Sequence, residues 1–132
     1  SENARVGLPE TSLGVIPGYG GTQRLAQIAG KVRAMEMILS AEMIDAATAL
    51  NYGITNKVVP LGELIETAKK MAKKIIKNSP MAIAKAIQCI NANYTSGVDG
   101  LAFEVNAFGD CFGTHDFKEG TSAFLEKRKA DF

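Results

Sequence analysis

Apolar positions recur at helical spacing along most of the chain, and strand-like stretches are few and short. Leu25, Ile28 and Ala29 fall on one helical face, after a glycine cluster at 18, 20 and 21 and before a stop at Gly30. A second helix is predicted from Lys31 to Ser40 with Val32, Met35, Ile38 and Leu39 turned inward. Asp45 is placed to cap a short turn of helix from Ala46 to Leu50, which Gly53 ends. Ile54, Val58 and Val59 read as a short strand closed by Pro60. From Leu61 to Lys77, Leu64, Ala68, Met71 and Ile75 mark a helix with Glu63 and Glu66 at its start and lysines at its end, the order the helix dipole favours.

Ser79-Pro80 supplies a cap and a first-turn proline for a further helix, with Ile83, Ile87 and Ile90 inward and Gly97 as its breaker. Leu101, Val105, Phe108 and Phe112, spaced four, three and four, form a seam that suits a core or a subunit contact equally. The last helix is expected to open at Asp116, with Glu119 three residues on as a capping box, and to end in the basic run Lys127-Arg128-Lys129. The opening, Arg5 to Glu10 and Leu13 to Pro17, is extended or irregular, because each proline disfavours helix in the residue before it. The fold class is therefore predominantly α with two or three short strands. So few strands do not make a self-sufficient sheet, and the sheet they join is expected elsewhere.

Composition narrows the function classes. Apolar residues at 46% and charged residues at 22% exclude disorder and low complexity. Fifteen Lys and Arg against 14 Asp and Glu leave a net charge of +1, which argues against nucleic acid as a partner but allows a local basic site for a phosphorylated ligand. The lysines at 73, 74 and 77 read as a solvated helix face. No apolar run reaches the ~18 residues of a membrane span, and the first ten residues lack the pattern of a signal peptide, so no membrane is expected. Cys89 and Cys111 lack metal-ligand spacing and are expected as free thiols of a reducing compartment, in preference to a disulfide. With His115 the single histidine and no G-x-S-x-G elbow, a zinc site and a serine triad are set aside.

Three features bear chemistry. Glu10 follows Pro9 at the end of an extended segment and precedes a glycine-rich turn; a lone carboxylate there is more often a surface residue or a cap than a catalyst. Gly18, Gly20 and Gly21 open a helix, where backbone N–H groups can hold an anion, a carbonyl oxygen or a water, although a plain tight turn explains them too. The cluster is neither a Walker loop nor G-x-G-x-x-G, since no Gly-Lys-Ser/Thr follows and Gln23 occupies the third glycine's place. Phe108, Phe124 and Lys127 combine aromatic surface with positive charge, which core packing and a solvated tail explain equally well.

Taken together, these residues are recognisable. Gly7-Leu8-Pro9-Glu10 followed by Leu13-Gly14-Val15-Ile16-Pro17-Gly18-Tyr19-Gly20-Gly21-Thr22-Gln23-Arg24-Leu25 resembles the central motif of the enoyl-CoA hydratase (crotonase) family. Ala34-Met35-Glu36, Ala49 to Ile54, Asn56 to Pro60 and Lys118 to Arg128 resemble its later blocks, so the resemblance covers essentially the whole chain, with the short-chain hydratases as the nearest likeness. It implies the C-terminal half of a crotonase-like ββα spiral over residues 1–60, and a helical oligomerisation and CoA-contacting region over 61–132.

The resemblance also implies a site. Glu10 matches one of two paired catalytic glutamates, and the backbone N–H of Gly18 matches a group that orients the catalytic water. Phe108, Phe124 and Lys127 match residues that hold the CoA adenine and phosphates across subunits. The other glutamate and the oxyanion-hole amides belong, by this likeness, to a segment before residue 1, so the chain is expected to be a fragment cut between its two glutamates and inactive alone. The implied substrate is an acyl-CoA, with no separate cofactor and no metal. The implied partners are the missing N-terminal half and further copies in a trimer or dimer of trimers; with no targeting segment visible, the expected compartment is the cytoplasm. Other reactions of the superfamily, isomerisation among them, or a non-catalytic helical assembly module are the alternatives.

Overall fold

The computed structural model describes residues 1–132. Seven α-helices follow a first short strand: β1 (Arg5–Val6), α1 (Gly21–Ala29), α2 (Lys31–Ser40), β2 (Ile44–Asp45), α3 (Ala46–Asn51), α4 (Leu64–Ile75), α5 (Pro80–Ala92), α6 (Gly100–Cys111) and α7 (His115–Leu125). Short 3-10 turns cover Pro9–Leu13 and Leu61–Glu63. No helix is long and apolar enough to cross a membrane. The chain divides into two compact units, Ser1–Ala68 and Lys69–Phe132.

In the first unit, β1 and β2 pair antiparallel, with Arg5 opposite Asp45 and Val6 opposite Ile44. The Arg5 guanidinium adds a 2.9 Å bond to the Met43 carbonyl. Leu25, Ala29, Ala34, Met37 and Ile38 make the core, with Val6, Leu8, Ile44, Tyr52 and Ile54 packed around it. The small Ala29 of α1 and Ala34 of α2 are buried in this cluster together with Met37, which is only 2% exposed. Asp45 caps α3 as expected, its carboxylate accepting the Thr48 N–H at 2.7 Å. That bond holds the Asp45 carboxyl below its ordinary pKa.

In the second unit, Ser79 is a buried N-cap whose hydroxyl accepts the Ala82 N–H at 3.0 Å. The same hydroxyl donates to the Asp116 carboxylate at 2.5 Å, so one serine joins the first turns of α5 and α7. Lys85 on α5 reaches Asp110 on α6 at 2.6 Å, which raises the lysine's pKa. The fully buried hydrophobic side chains of this unit are all alanines: Ala92, Ala107 and Ala123.

The structure corrects several sequence expectations. Residues 54–60 form no strand; the second strand is Ile44–Asp45, too short to show alternation. The buried face of α2 is Ala34, Met37 and Ile38, while Val32, Met35 and Leu39 are exposed. Apolar residues wrap most of that helix, so spacing alone did not single out the side on which α1 packs. Ile28, Ile87 and Ile90 are likewise exposed. So is the whole seam of Leu101, Val105, Phe108 and Phe112, which removes the core alternative for it within this chain. The last helix is capped by Thr114, whose hydroxyl accepts the Phe117 N–H at 3.2 Å, and not by Asp116. Asp116 is drawn to Ser79 instead, a contact 37 residues distant in sequence.

Two side-chain oxygens of the first unit are buried without a hydrogen-bond partner, one on Glu10 and one on Thr55. For the Thr55 hydroxyl this situation costs roughly 1–3 kcal/mol. Replacement of Thr55 by the near-isosteric valine is expected to raise the unfolding free energy by about 1 kcal/mol, read from urea denaturation of the two chains; an unchanged or lower midpoint would count against it.

Candidate active site

The Pro9–Leu13 turn carries Glu10. Pro9 sets the first dihedral of the turn, and Gly14, at φ 76°, ends it. The Ser12 hydroxyl closes back on the Pro9 carbonyl at 2.7 Å, and the Val15 N–H reaches the Glu10 carbonyl at 3.3 Å. From the same turn, the Thr11 hydroxyl donates to the Ile38 carbonyl in the last turn of α2 at 2.6 Å. Glu10 itself is half-buried, and its Oε2 is fully buried with no hydrogen-bond partner. Carboxylate oxygens taken out of water are ordinarily paired, so the unpartnered Oε2 sets Glu10 apart from the other carboxylates of the chain.

The glycine-rich segment follows. Pro17 is buried, Tyr19 is almost fully exposed, and Gly20 stands at φ 74° as the residue before α1. At Gly21 a Cβ would lie 2.9 Å from the Pro17 Cβ and 3.0 Å from the Leu8 Cδ1, so the chain on both sides of Glu10 rests directly on the start of α1. Gly18 differs: nothing lies within 4 Å of where its Cβ would be. Close packing within the chain therefore does not require a glycine at 18. Glu10 and Gly18 both belong to the first unit.

The other three candidates lie in the second unit. Phe108 is 65% exposed on α6 and meets Phe112 edge to face at 5.0 Å. It lines an open groove of about 610 Å³ between α5 and α6, walled by Ala82, Cys89, Ile90, Leu101 and Cys111 among others. Both cysteines are free. Phe124 is 81% exposed near the end of α7.

Lys127 follows α7 in the left-handed region at φ 56°. It occupies the place in a helix-ending Schellman turn that glycine usually fills, with the Arg128 N–H on the Ala123 carbonyl at 3.0 Å and the Lys127 N–H on Phe124 at 3.3 Å. The turn is locked by a clamp that sequence spacing did not reveal. Glu119 accepts two bonds from the Arg128 guanidinium, at 2.6 and 2.9 Å, and the Asp131 N–H at 2.8 Å. These contacts hold the Glu119 carboxyl near a pKa of about 2. The expected capping box had assigned this glutamate to the start of its helix; it faces the chain's last residues instead.

A family described as "Enoyl-CoA hydratase/isomerase" matches residues 1–132. The chain belongs to it. Within the enoyl-CoA hydratase/isomerase family it is 48% identical over 132 residues to the short-chain-enoyl-CoA hydratase of Clostridium acetobutylicum, covering 99% of this chain and 51% of that protein. It is 41% identical over 133 residues to the crotonyl-CoA hydratase of Syntrophomonas wolfei, covering 100% and 51%. The crystal structure of the Bacillus anthracis enoyl-CoA hydratase superposes with a TM-score of 0.93 at 41% identity, over 99% of this chain and 51% of that one. The chain thus spans about half the length of the curated relatives it matches. The helix-rich architecture with two short strands is that of the matched half of a hydratase fold.

Two measurements follow from this geometry. Gly18→Ala meets open space and is expected to leave folding stability within about 0.5 kcal/mol, checked by urea denaturation; a larger loss would mean that the fold itself needs the glycine. For the Glu119 clamp, a folded pKa of about 2 against an ordinary 4.5 means that its stabilisation is complete above pH 4.5 and is lost as pH falls toward 2. Glu119→Gln is expected to be less stable than the parent at neutral pH, and the gap should close across that acid window when denaturation midpoints are followed against pH.

Proposed function

We propose that this chain contributes half of the active site of an enoyl-CoA hydratase, which adds water reversibly across the α,β double bond of a 2-enoyl-CoA thioester. The observation that carries the reading is Glu10: a carboxylate with one oxygen buried and unpartnered, on a turn fastened to α2, in a chain whose relatives are named as hydratases. Hydration needs a group that takes a proton from water and a group that gives one to the α-carbon. A carboxylate with an uncommitted oxygen is suited to either half of that exchange. Glu10 acts with a second glutamate, and the Gly18 N–H orients the water as it attacks the β-carbon. Charge building on the thioester oxygen is met by backbone N–H donors, each worth about 3 kcal/mol. Both the second glutamate and those donors come from the portion of the relatives that lies outside this match.

Phe108, Phe124 and Lys127 take the CoA end of the substrate. Exposed aromatic rings suit stacking on the adenine, and Lys127, a compact point charge, suits a phosphate. CoA enters as part of the substrate, and no separate cofactor is called for. The exposed apolar seam on α6 supports assembly with further copies, as a trimer or a dimer of trimers. The net charge of +1 argues against nucleic acid as a partner. A soluble cytoplasmic setting fits a chain with no membrane-length apolar helix. The family's description also covers isomerases, so double-bond migration is the second reading.

The deciding experiment is hydration of crotonyl-CoA, followed by loss of the enoyl thioester absorbance. The chain assayed alone is expected to be inactive. In the full-length protein that carries it, Glu10→Gln is expected to lower kcat by about 10²–10⁴-fold. Full activity of that variant would remove Glu10 from the chemistry, and migration of a 3-enoyl double bond without hydration would favour the isomerase.

A further inference from the structure

We infer that Thr11 is a positioning residue for Glu10, an inference that rests on the reading of Glu10 given above. The buried oxygen of Glu10 has no hydrogen bond of its own, so nothing within the chain aims that end of the side chain directly. Its direction depends on the backbone of the Pro9–Leu13 turn. The Ser12–Pro9 and Val15–Glu10 bonds close within that segment and do not fasten it to its surroundings. The Thr11 hydroxyl does: it crosses 27 residues of sequence to the Ile38 carbonyl at 2.6 Å.

The acceptor is well chosen. Ile38 lies in the last turn of α2, which ends at Ser40, so its carbonyl is among those with no N–H partner inside the helix. Ile38 itself is a core residue, packed with Met37 and Ala34, and gives the bond a rigid footing. In a 3-10 turn there are three residues per revolution, so neighbouring side chains point about 120° apart. With Thr11 held on α2, the adjacent Glu10 is turned to a fixed bearing off that helix. Chemistry that depends on such a bearing is sensitive to small errors: a displacement of about 1 Å costs on the order of 100-fold in rate.

The test uses the full-length protein that carries this chain, with Thr11→Val, which keeps the side chain's shape and removes its donor, and Thr11→Ser, which keeps the hydroxyl. Thr11→Val is expected to lower kcat for crotonyl-CoA hydration about tenfold or more, with KM changed by less than about twofold. Thr11→Ser is expected to recover most of the rate. A carbon-13 resonance of the Glu10 carboxyl, assigned by its disappearance in Glu10→Gln, should move in the valine variant and return in the serine variant. A valine variant with parental kcat and an unmoved Glu10 resonance overturns the inference, as does a serine variant no better than valine. If Glu10→Gln itself keeps full activity, the hydratase reading of Glu10 fails. The resonance then still decides the positioning: movement in valine and return in serine upholds it, and no movement overturns it.

Discussion

The first turn of α1 must let two side chains lie directly on its backbone, and only a residue without a Cβ allows that. Leu8 and Pro17, on either side of the Glu10 turn, press against Gly21 at distances that a methyl group would violate. This contact brings the segment carrying Glu10 down onto the α1–α2 pair. There Leu8 joins the core of Leu25, Ala29, Ala34, Met37 and Ile38, and Thr11 comes within reach of the α2 carbonyls. The position of the carboxylate is thus a consequence of helix packing: α1 and α2 share a core that includes two small alanines, a glycine lets the preceding chain settle on them, and a threonine ties the turn in place.

The second unit is built on a different principle. Its buried side chains are alanines and a serine, and most of its larger apolar residues are exposed, with Met71, Met81, Ile83 and Phe117 half-buried. Alanine burial removes little area per residue, at roughly 25 cal/mol per Å², so specific polar ties matter more here. Ser79 joins two helix starts through Asp116, Lys85 joins α5 to α6 through Asp110, and Glu119 folds the C-terminal residues back along α7 through Arg128. Such a layout leaves large hydrophobic side chains exposed on a single chain, among them Leu101, Val105, Phe108 and Phe124.

Sequence alone determined the run of helices and several of their caps and stops, but not the strands. Helix spacing, the Asp45 and Ser79-Pro80 caps and the stops at Gly30 and Gly53 are local features, written in dihedral preference and in bonds between residues three or four apart. The ordered motif from Gly7 to Leu25 likewise identified the family and the residue worth testing, because its spacing is itself a local property. Tertiary structure decided what depends on residues far apart in the chain. It turned α2 to bury Ala34 in place of Val32, moved the second strand to Ile44–Asp45, exposed the seam of Leu101 to Phe112, and drew Asp116 and Glu119 away from the expected capping box. The Thr11–Ile38 bond belongs to the same class. A periodic pattern says that a helix has an apolar side, but where that pattern wraps the helix, only the neighbour that packs against it settles which side is buried.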